Sequence, residues 1–238
     1  MRKLFLLINT YFLTFSLLFA QAPSGYYDNA LGKNGAQLKT ELHNIIKGNT
    51  ERSYADLWTD FQSTDKKPNG KVWDIYSDVP NGTPAYEWVF AVNQCGNYSG
   101  EGSCYNREHS FPKSWFHDAS PMYTELFHIY PTDGYVNGKR DNYPYGEVDN
   151  PTWTSTNGSK LGPSSTTGYY GVVFEPIDEY KGDLARTYFY MATRYEDVIT
   201  AWNSEVLDGT KYPVYKKWTL DLLIEWNEKD PVSQKEIE

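Results

Sequence analysis

Asn106-Arg107-Glu108-His109-Ser110-Phe111-Pro112 sets a carboxylate beside an imidazole. In an extended backbone, neighbouring side chains leave opposite faces of the strand. Glu108 and His109 can therefore take two separate tasks at one strand end, an oxygen donor on one face and a proton acceptor on the other. Taken alone, a Glu-His pair is equally an ordinary surface dipeptide. The zinc-hydrolase pattern His-Glu-x-x-His does not occur. Further on, Glu125-Leu126-Phe127-His128-Ile129-Tyr130-Pro131 leads into Thr132-Asp133-Gly134-Tyr135-Val136-Asn137-Gly138-Lys139-Arg140-Asp141-Asn142. Pro131 followed by Thr132 or Asp133 signals a helix N-terminus. In the helix that follows, Asn137 and Arg140 are three apart and share a face. An amide oxygen beside a guanidinium suits a hydrated Mg²⁺ and the phosphate it touches. Mg²⁺ takes hard oxygen ligands, only one or two of them from protein, and Arg matches the phosphate fork. The plain alternative for this stretch is a polar turn rich in Asn and Gly.

Helices and a few strands must position these groups. Ala36, Leu38, Leu42, Ile45 and Ile46 fall at helical spacing over 35–47, with Gly48-Asn49 as the stop. Tyr54 to Phe61 predicts a short second helix. Val72, Trp73, Ile75 and Tyr76 predict a strand over 71–77, and 86–92 predicts another. From Asn93 to Tyr170 the chain is dense in Gly, Pro, Asn, Ser and Tyr, so loops and short elements are expected. Leu184, Tyr188, Met191, Tyr195 and Ile199 lie on one helical face, and Trp218, Leu222, Leu223 and Trp226 repeat that spacing over 216–227. Helices at both ends around a few strands give an α+β class.

The 238 residues carry 31 acidic and 22 basic side chains, a net charge of −9. That balance argues against a partner held by bulk charge attraction, such as DNA along its length or an anionic membrane. Aromatic residues make up 17% of the chain, which excludes a long disordered protein. Met1-Arg2-Lys3, an uncharged apolar run from Leu4 to Phe19, and the small residues of Ala20-Gln21-Ala22 form a secretory signal pattern. An uncleaved membrane anchor is the alternative, although the run is near the lower limit for spanning. Residues 1–20 are therefore expected to be a removable signal and 21–238 a single secreted or periplasmic domain, with no membrane contact after removal. Cys95 and Cys104 flank a turn-rich octapeptide. In an oxidising compartment they are expected to close a disulfide loop, with two free thiols as the alternative. Two Cys without an adjacent His make a poor zinc site.

Taken together, the chemical stretches are more specific than any one of them. The run from Asn106 through Phe116 resembles the active-site strand of the bacterial endonuclease I family, secreted or periplasmic nucleases of the ββα-metal, or His-Me finger, class. Val136-Asn137-Gly138-Lys139-Arg140-Asp141-Asn142 resembles their metal-ligand helix. Phe174-Glu175-Pro176, Lys181 to Arg186, Tyr188 to Met191, and Trp226 to Val232 also fit, so the resemblance covers nearly the whole chain after the signal. It implies a His-Me finger core within the α+β class, with flanking helices. It further implies that His109 is the general base and that Glu108 and Asn137 are the protein ligands of one divalent ion: Mg²⁺, or another such as Mn²⁺ or Ca²⁺. Arg140 matches the arginine after the metal Asn and would add positive charge at the phosphate. Arg186 matches a later arginine for which phosphate contact and structural support are both open. The implied activity is hydrolysis of DNA or RNA phosphodiesters with little sequence preference, leaving a 5′-phosphate.

The chain departs from the family in two places. Phe127 stands where members often carry a polar residue, and His128 beside it is expected to support the site rather than act in it. Members also usually continue past Asp230-Pro231-Val232 with a polar block, whereas this chain ends at Glu238, so a truncation or a shortened variant is expected. A catalytically impaired relative and a secreted glycan-binding module are the alternative readings. Oligomeric state, metal identity and the choice between DNA and RNA are left open by the sequence.

Overall fold

The structure is a computed structural model and describes residues 22–237. The signal expected over residues 1–20 lies outside the described residues. No helix among the described residues is long and apolar enough to cross a membrane. Mixed short strands and helices make up the rest, an α+β architecture.

Helix α1 spans Gly35–Ile46 and α2 spans Leu57–Thr64. Strands β1 (Tyr105–His109) and β2 (Ile129–Asp133) pair antiparallel, with Glu108 opposite Tyr130 and His109 opposite Ile129. Pro131 sits within β2 opposite Arg107. In a two-stranded ladder each strand has a free edge, so a missing N–H is tolerated there. Helix α3 (Gly134–Arg140) starts directly from β2, so the chain runs strand, strand, helix. Strands β3 (Trp153–Thr154), β4 (Lys160–Pro163) and β5 (Val172–Glu175) form a second antiparallel sheet in that order. Helices α4 (Lys181–Arg194) and α5 (Lys217–Lys229) pack on each other, and a short α6 (Gln234–Ile237) follows.

The periodic helices occur where the spacing places them. On α5, Trp218, Leu222, Leu223 and Trp226 are buried; on α4, Leu184, Ala185, Tyr188 and Met191 are. These residues join Phe111, Phe116 and Val136 in the principal core, so the α4–α5 pair forms the bed under α3 and the segment that follows β1. The two strands expected at 71–77 and 86–92 do not form. Asp74 is the reason. Its buried carboxylate accepts hydrogen bonds from the Tyr76 and Asp133 amides, the Ser77 hydroxyl and the Trp88 indole. Both segments are thereby folded as irregular chain around one acceptor, and only Val72 makes an isolated bridge, to Lys66. Burial pushes the Asp74 carboxyl up to about 7, against the pull of those bonds.

Seven residues make a helix too short to persist alone, so α3 depends on its surroundings. Asp133 caps it, accepting from the Tyr135 and Val136 amides at 2.8 and 2.9 Å. Its other oxygen accepts from the Gly102 amide at 2.7 Å. Cys95 and Cys104 are joined as a disulfide, with Cα atoms 5.8 Å apart. The loop they close stabilises the fold by about 2–3 kcal/mol on chain-entropy grounds. That loop also lies against α3: the Gly134 amide donates to the Cys104 carbonyl at 2.9 Å. Tyr98, inside the loop, covers Gly138 so closely that a Cβ there would fall 2.0 Å from its hydroxyl oxygen. The glycine is what lets the stapled loop seat on the helix.

Candidate active site

The pleat of β1 divides the side chains between two environments. Asn106 and Glu108 face α3; Arg107 and His109 face the segment before α2 and the turn at Met122–Thr124. On the first face the pairing is crosswise. Asn137 donates through Nδ2 to Asn106 Oδ1 at 2.8 Å, and Arg140 donates through Nη1 to Glu108 Oε1 at 3.0 Å. Each strand residue thus meets one of the two helix residues that share a face, which puts Glu108 and Asn137 on the same β1–α3 seam. The Tyr76 hydroxyl also donates to Glu108 Oε1, at 2.9 Å, and in turn meets the Tyr145 hydroxyl at 2.7 Å. Glu108 is only 3% exposed. Burial raises its carboxyl above the usual range, while Arg140 and Tyr76 pull it back down.

Two oxygens on this face are left for a ligand. Both bonds to Glu108 fall on Oε1, and the amide nitrogen of Asn137 is the atom that is tied. Glu108 Oε2 and Asn137 Oδ1 have no hydrogen-bond donor among the described residues, and neither belongs to the sealed, unpaired polar atoms. One carboxylate oxygen and one amide oxygen, both reachable by water, fit a hard cation that keeps much of its hydration shell. Among the described residues no three His, Cys, Asp or Glu side chains converge as a closed cage.

On the opposite face, successive carbonyls of one turn hold two imidazoles. His109 Nε2 lies 3.1 Å from the Tyr123 carbonyl, and His128 Nε2 lies 2.7 Å from the Met122 carbonyl. A carbonyl only accepts, so in the neutral ring each Nε2 carries the hydrogen and each Nδ1 keeps its lone pair. The Nδ1 of His128 is sealed and without a partner; that of His109 is not sealed. Burial, opposed by the Tyr123 carbonyl and reinforced by Lys113, pushes the His109 imidazole down to about 4. Burial and the neighbouring His109 push His128 down to about 3. Both rings are therefore neutral at ordinary pH. His109 presents a free basic nitrogen, and His128 fills space behind it, with ring centroids 5.6 Å apart.

Arg140 and Arg186 both bond to partners within the fold. Arg140 is 1% exposed. Besides Glu108, it donates to the His109 carbonyl at 2.9 Å and to the Ser110 carbonyl at 2.5 Å, with Tyr145 beneath the guanidinium. Its charge is spent inside the core, holding the C-terminal end of β1 to α3. Arg186 makes a two-pronged bond to Glu236 at 2.5 and 2.6 Å and donates to the Asp230 carbonyl at 2.8 Å. Of its two open roles, the geometry is that of structural support, tying α4 to the last residues of the chain. Phe127 is 65% exposed and stacks on Tyr190 at 4.8 Å.

Sequence reasoning did not single out Asn106, Tyr76, Tyr145 or the Met122–Tyr123 carbonyls. Asn106 was within reach, because it stands two residues before Glu108 and must share its face. The tyrosines come from distant segments and carry no local signal.

The pattern of the endonuclease I family matches residues 34–238. The extracellular ribonuclease of Bacillus amyloliquefaciens is 35% identical over 219 residues, covering 89% of this chain and 68% of the relative. The extracellular ribonuclease of Bacillus subtilis (strain 168) is 33% identical over 237 residues, covering 94% and 74%. The matched region contains the whole strand–strand–helix unit with Glu108, His109 and Asn137, and the chain belongs to the endonuclease I family, a nuclease that hydrolyses phosphodiester bonds.

Proposed function

We propose that this protein is an exported, divalent-metal-dependent endonuclease of the His-Me finger type, with His109 as general base. The observation that carries the reading is the meeting of two kinds of group at the end of β1: adjacent residues supply a neutral imidazole with a free Nδ1 and, with α3, two oxygens that lack a donor among the described residues, Glu108 Oε2 and Asn137 Oδ1. A phosphodiester resists attack because its anionic oxygens repel the nucleophile, so catalysis needs both a deprotonated water and a sink for the growing negative charge. His109 Nδ1 takes the proton from an in-line water, while the Tyr123 carbonyl keeps Nε2–H fixed and stabilises the imidazolium that forms. Assistance of this kind contributes on the order of 10²–10⁴ in rate. Glu108 and Asn137 would hold the ion, which supplies Lewis-acid neutralisation of the phosphate and of the leaving oxygen. Arg140 acts through Glu108 as a positioning residue, fixing which carboxylate oxygen is free.

Export is supported by the signal pattern at residues 1–20 and by two relatives that are extracellular. Both relatives are ribonucleases by name, so RNA is the first substrate to assay, with DNA beside it. The test is cleavage of RNA and of plasmid DNA across a Mg²⁺ titration, with EDTA as control. E108Q and N137A are expected to need at least tenfold more Mg²⁺ for half-maximal rate, in keeping with the loss of one ligand. A Mg²⁺ midpoint unchanged in both variants would remove these residues from the metal site.

A further inference from the structure

With Arg140 turned into the core, a phosphate arriving at His109 needs another cation. Arg107 is placed for it. It precedes His109 by two residues on β1 and so shares its face. The guanidinium is held between aromatic rings, with Cζ 3.5 Å from the Tyr54 ring centroid and 4.3 Å from that of Trp58. Nη1 donates to the Tyr54 carbonyl at 2.6 Å. Nε is buried and has no partner, and Nη2 has none among the described residues. Arg52, Arg140 and Arg186 each have a carboxylate. Among the described residues no carboxylate bears on Arg107, where the neighbouring groups are Tyr54 and Tyr123. Withholding a counter-charge from a half-buried guanidinium is costly in a protein of net charge −9. An arriving anion would remove that cost.

The same surroundings tie Arg107 to the reacting centre. Tyr54 stacks on the His109 ring at 6.1 Å, and Tyr123 lies 4.8 Å from Tyr54 and 5.2 Å from His109. Lys113, near the Tyr123 ring, is the other cation of this face, and it is already paired with Asp118. We propose that Arg107, clamped by Tyr54 and Trp58, is the guanidinium that binds the scissile phosphate or its immediate neighbour beside His109. This rests on the nuclease reading above and adds a binding residue to it. The segment before α2 thereby becomes one wall of the site, although it carries no catalytic motif. A planar, ring-stacked guanidinium loses little freedom when it takes up two phosphate oxygens, which a lysine cannot reproduce.

The test compares wild type, R107Q and R107K, with folding checked by thermal melting. Two quantities are read: kcat/KM on RNA and on DNA, and the salt dependence of binding to a fluorescent single-stranded oligonucleotide in EDTA. R107Q is expected to lose about 10–100-fold in kcat/KM, the range for one charge-assisted hydrogen-bonded contact. Its log K against log salt should flatten by roughly 0.7–0.9, the share of one phosphate. A purely structural arginine would not move that slope. R107K should keep the wild-type slope while losing kcat/KM, and it carries the test where R107Q does not fold. A folded R107Q with wild-type kcat/KM and slope would overturn the assignment, as would R107K matching wild type in kcat/KM. A wild type that cleaves neither substrate would instead overturn the nuclease reading, and this assignment with it.

Discussion

Arg140 separates two accounts of the metal-helix arginine, and its replacement has a calculable cost. In R140Q the guanidinium is lost while Glu108 stays buried. Glu108 then escapes an uncompensated charge by taking up a proton. Bringing a carboxyl of ordinary value 4.5 to its neutral form at pH 7 costs at most about 3.4 kcal/mol, at about 1.36 kcal/mol per pH unit. The His109 carbonyl also loses a donor, worth on the order of 1 kcal/mol, whereas the Ser110 carbonyl keeps the Tyr188 hydroxyl at 3.2 Å. The expected loss is roughly 2–4 kcal/mol, close to what breaking a buried ion pair usually costs. For a chain of this length that corresponds to a melting temperature lowered by roughly 5–15 °C. The pH dependence identifies the cause. Because the penalty is chiefly protonation of Glu108, it should shrink by roughly 2–3 kcal/mol between pH 7 and pH 5. Urea unfolding of wild type and R140Q at both pH values measures it. If R140Q melted with wild type at pH 7 while cleavage fell a hundredfold, the guanidinium would be acting on substrate, and the core-clamp account would be refuted.

His128 gives a second linkage signature. Its imidazole is harder to protonate in the fold, at about 3, than in the unfolded chain at the ordinary 6.5. The unfolded state therefore binds more protons below pH 6.5, and stability is lost as pH falls from there toward 3. Wild type should lose about 2 kcal/mol to this group between pH 7 and pH 5. H128Q can still donate to the Met122 carbonyl and does not titrate, so it should be spared that loss; equal losses in urea unfolding would contradict the assignment. R186A should release the last residues from α4, read as faster proteolysis after residue 230, with the salt slope of oligonucleotide binding unchanged. A flattened slope would return Arg186 to the phosphate.

Much of this was legible in the chain, for identifiable reasons. Helices α1, α4 and α5 show their apolar stripe directly, and α3 announces itself through Pro131, Thr132 and Asp133 at its start. The opposite facing of Glu108 and His109 follows from the pleat alone. Val72 to Tyr76 reads as a strand because its apolar residues are buried, yet burial there is organised by Asp74, a single carboxylate taking donors from four positions. No local pattern shows that. The short strands β3 to β5 are too brief, at two to four residues each, to leave a period. Arg140 and Arg186 could be found as residue types at motif positions, but the direction of each guanidinium depends on partners far along the chain: Tyr145 and Tyr188 for one, Glu236 for the other. Arg107 was in view as part of the motif. What distinguishes it is its place on the His109 face, between the Tyr54 and Trp58 rings and with no carboxylate partner among the described residues, which only the fold displays.

In the proposed reaction the neutral His109 imidazole removes the proton from water. The direct measurement is single-turnover cleavage of RNA and DNA in saturating Mg²⁺ by wild type and H109A, each confirmed folded by its melting curve. The account predicts that H109A binds oligonucleotide as wild type does and cleaves it on the order of 10²–10⁴-fold more slowly. A folded H109A cleaving at the wild-type rate would contradict it.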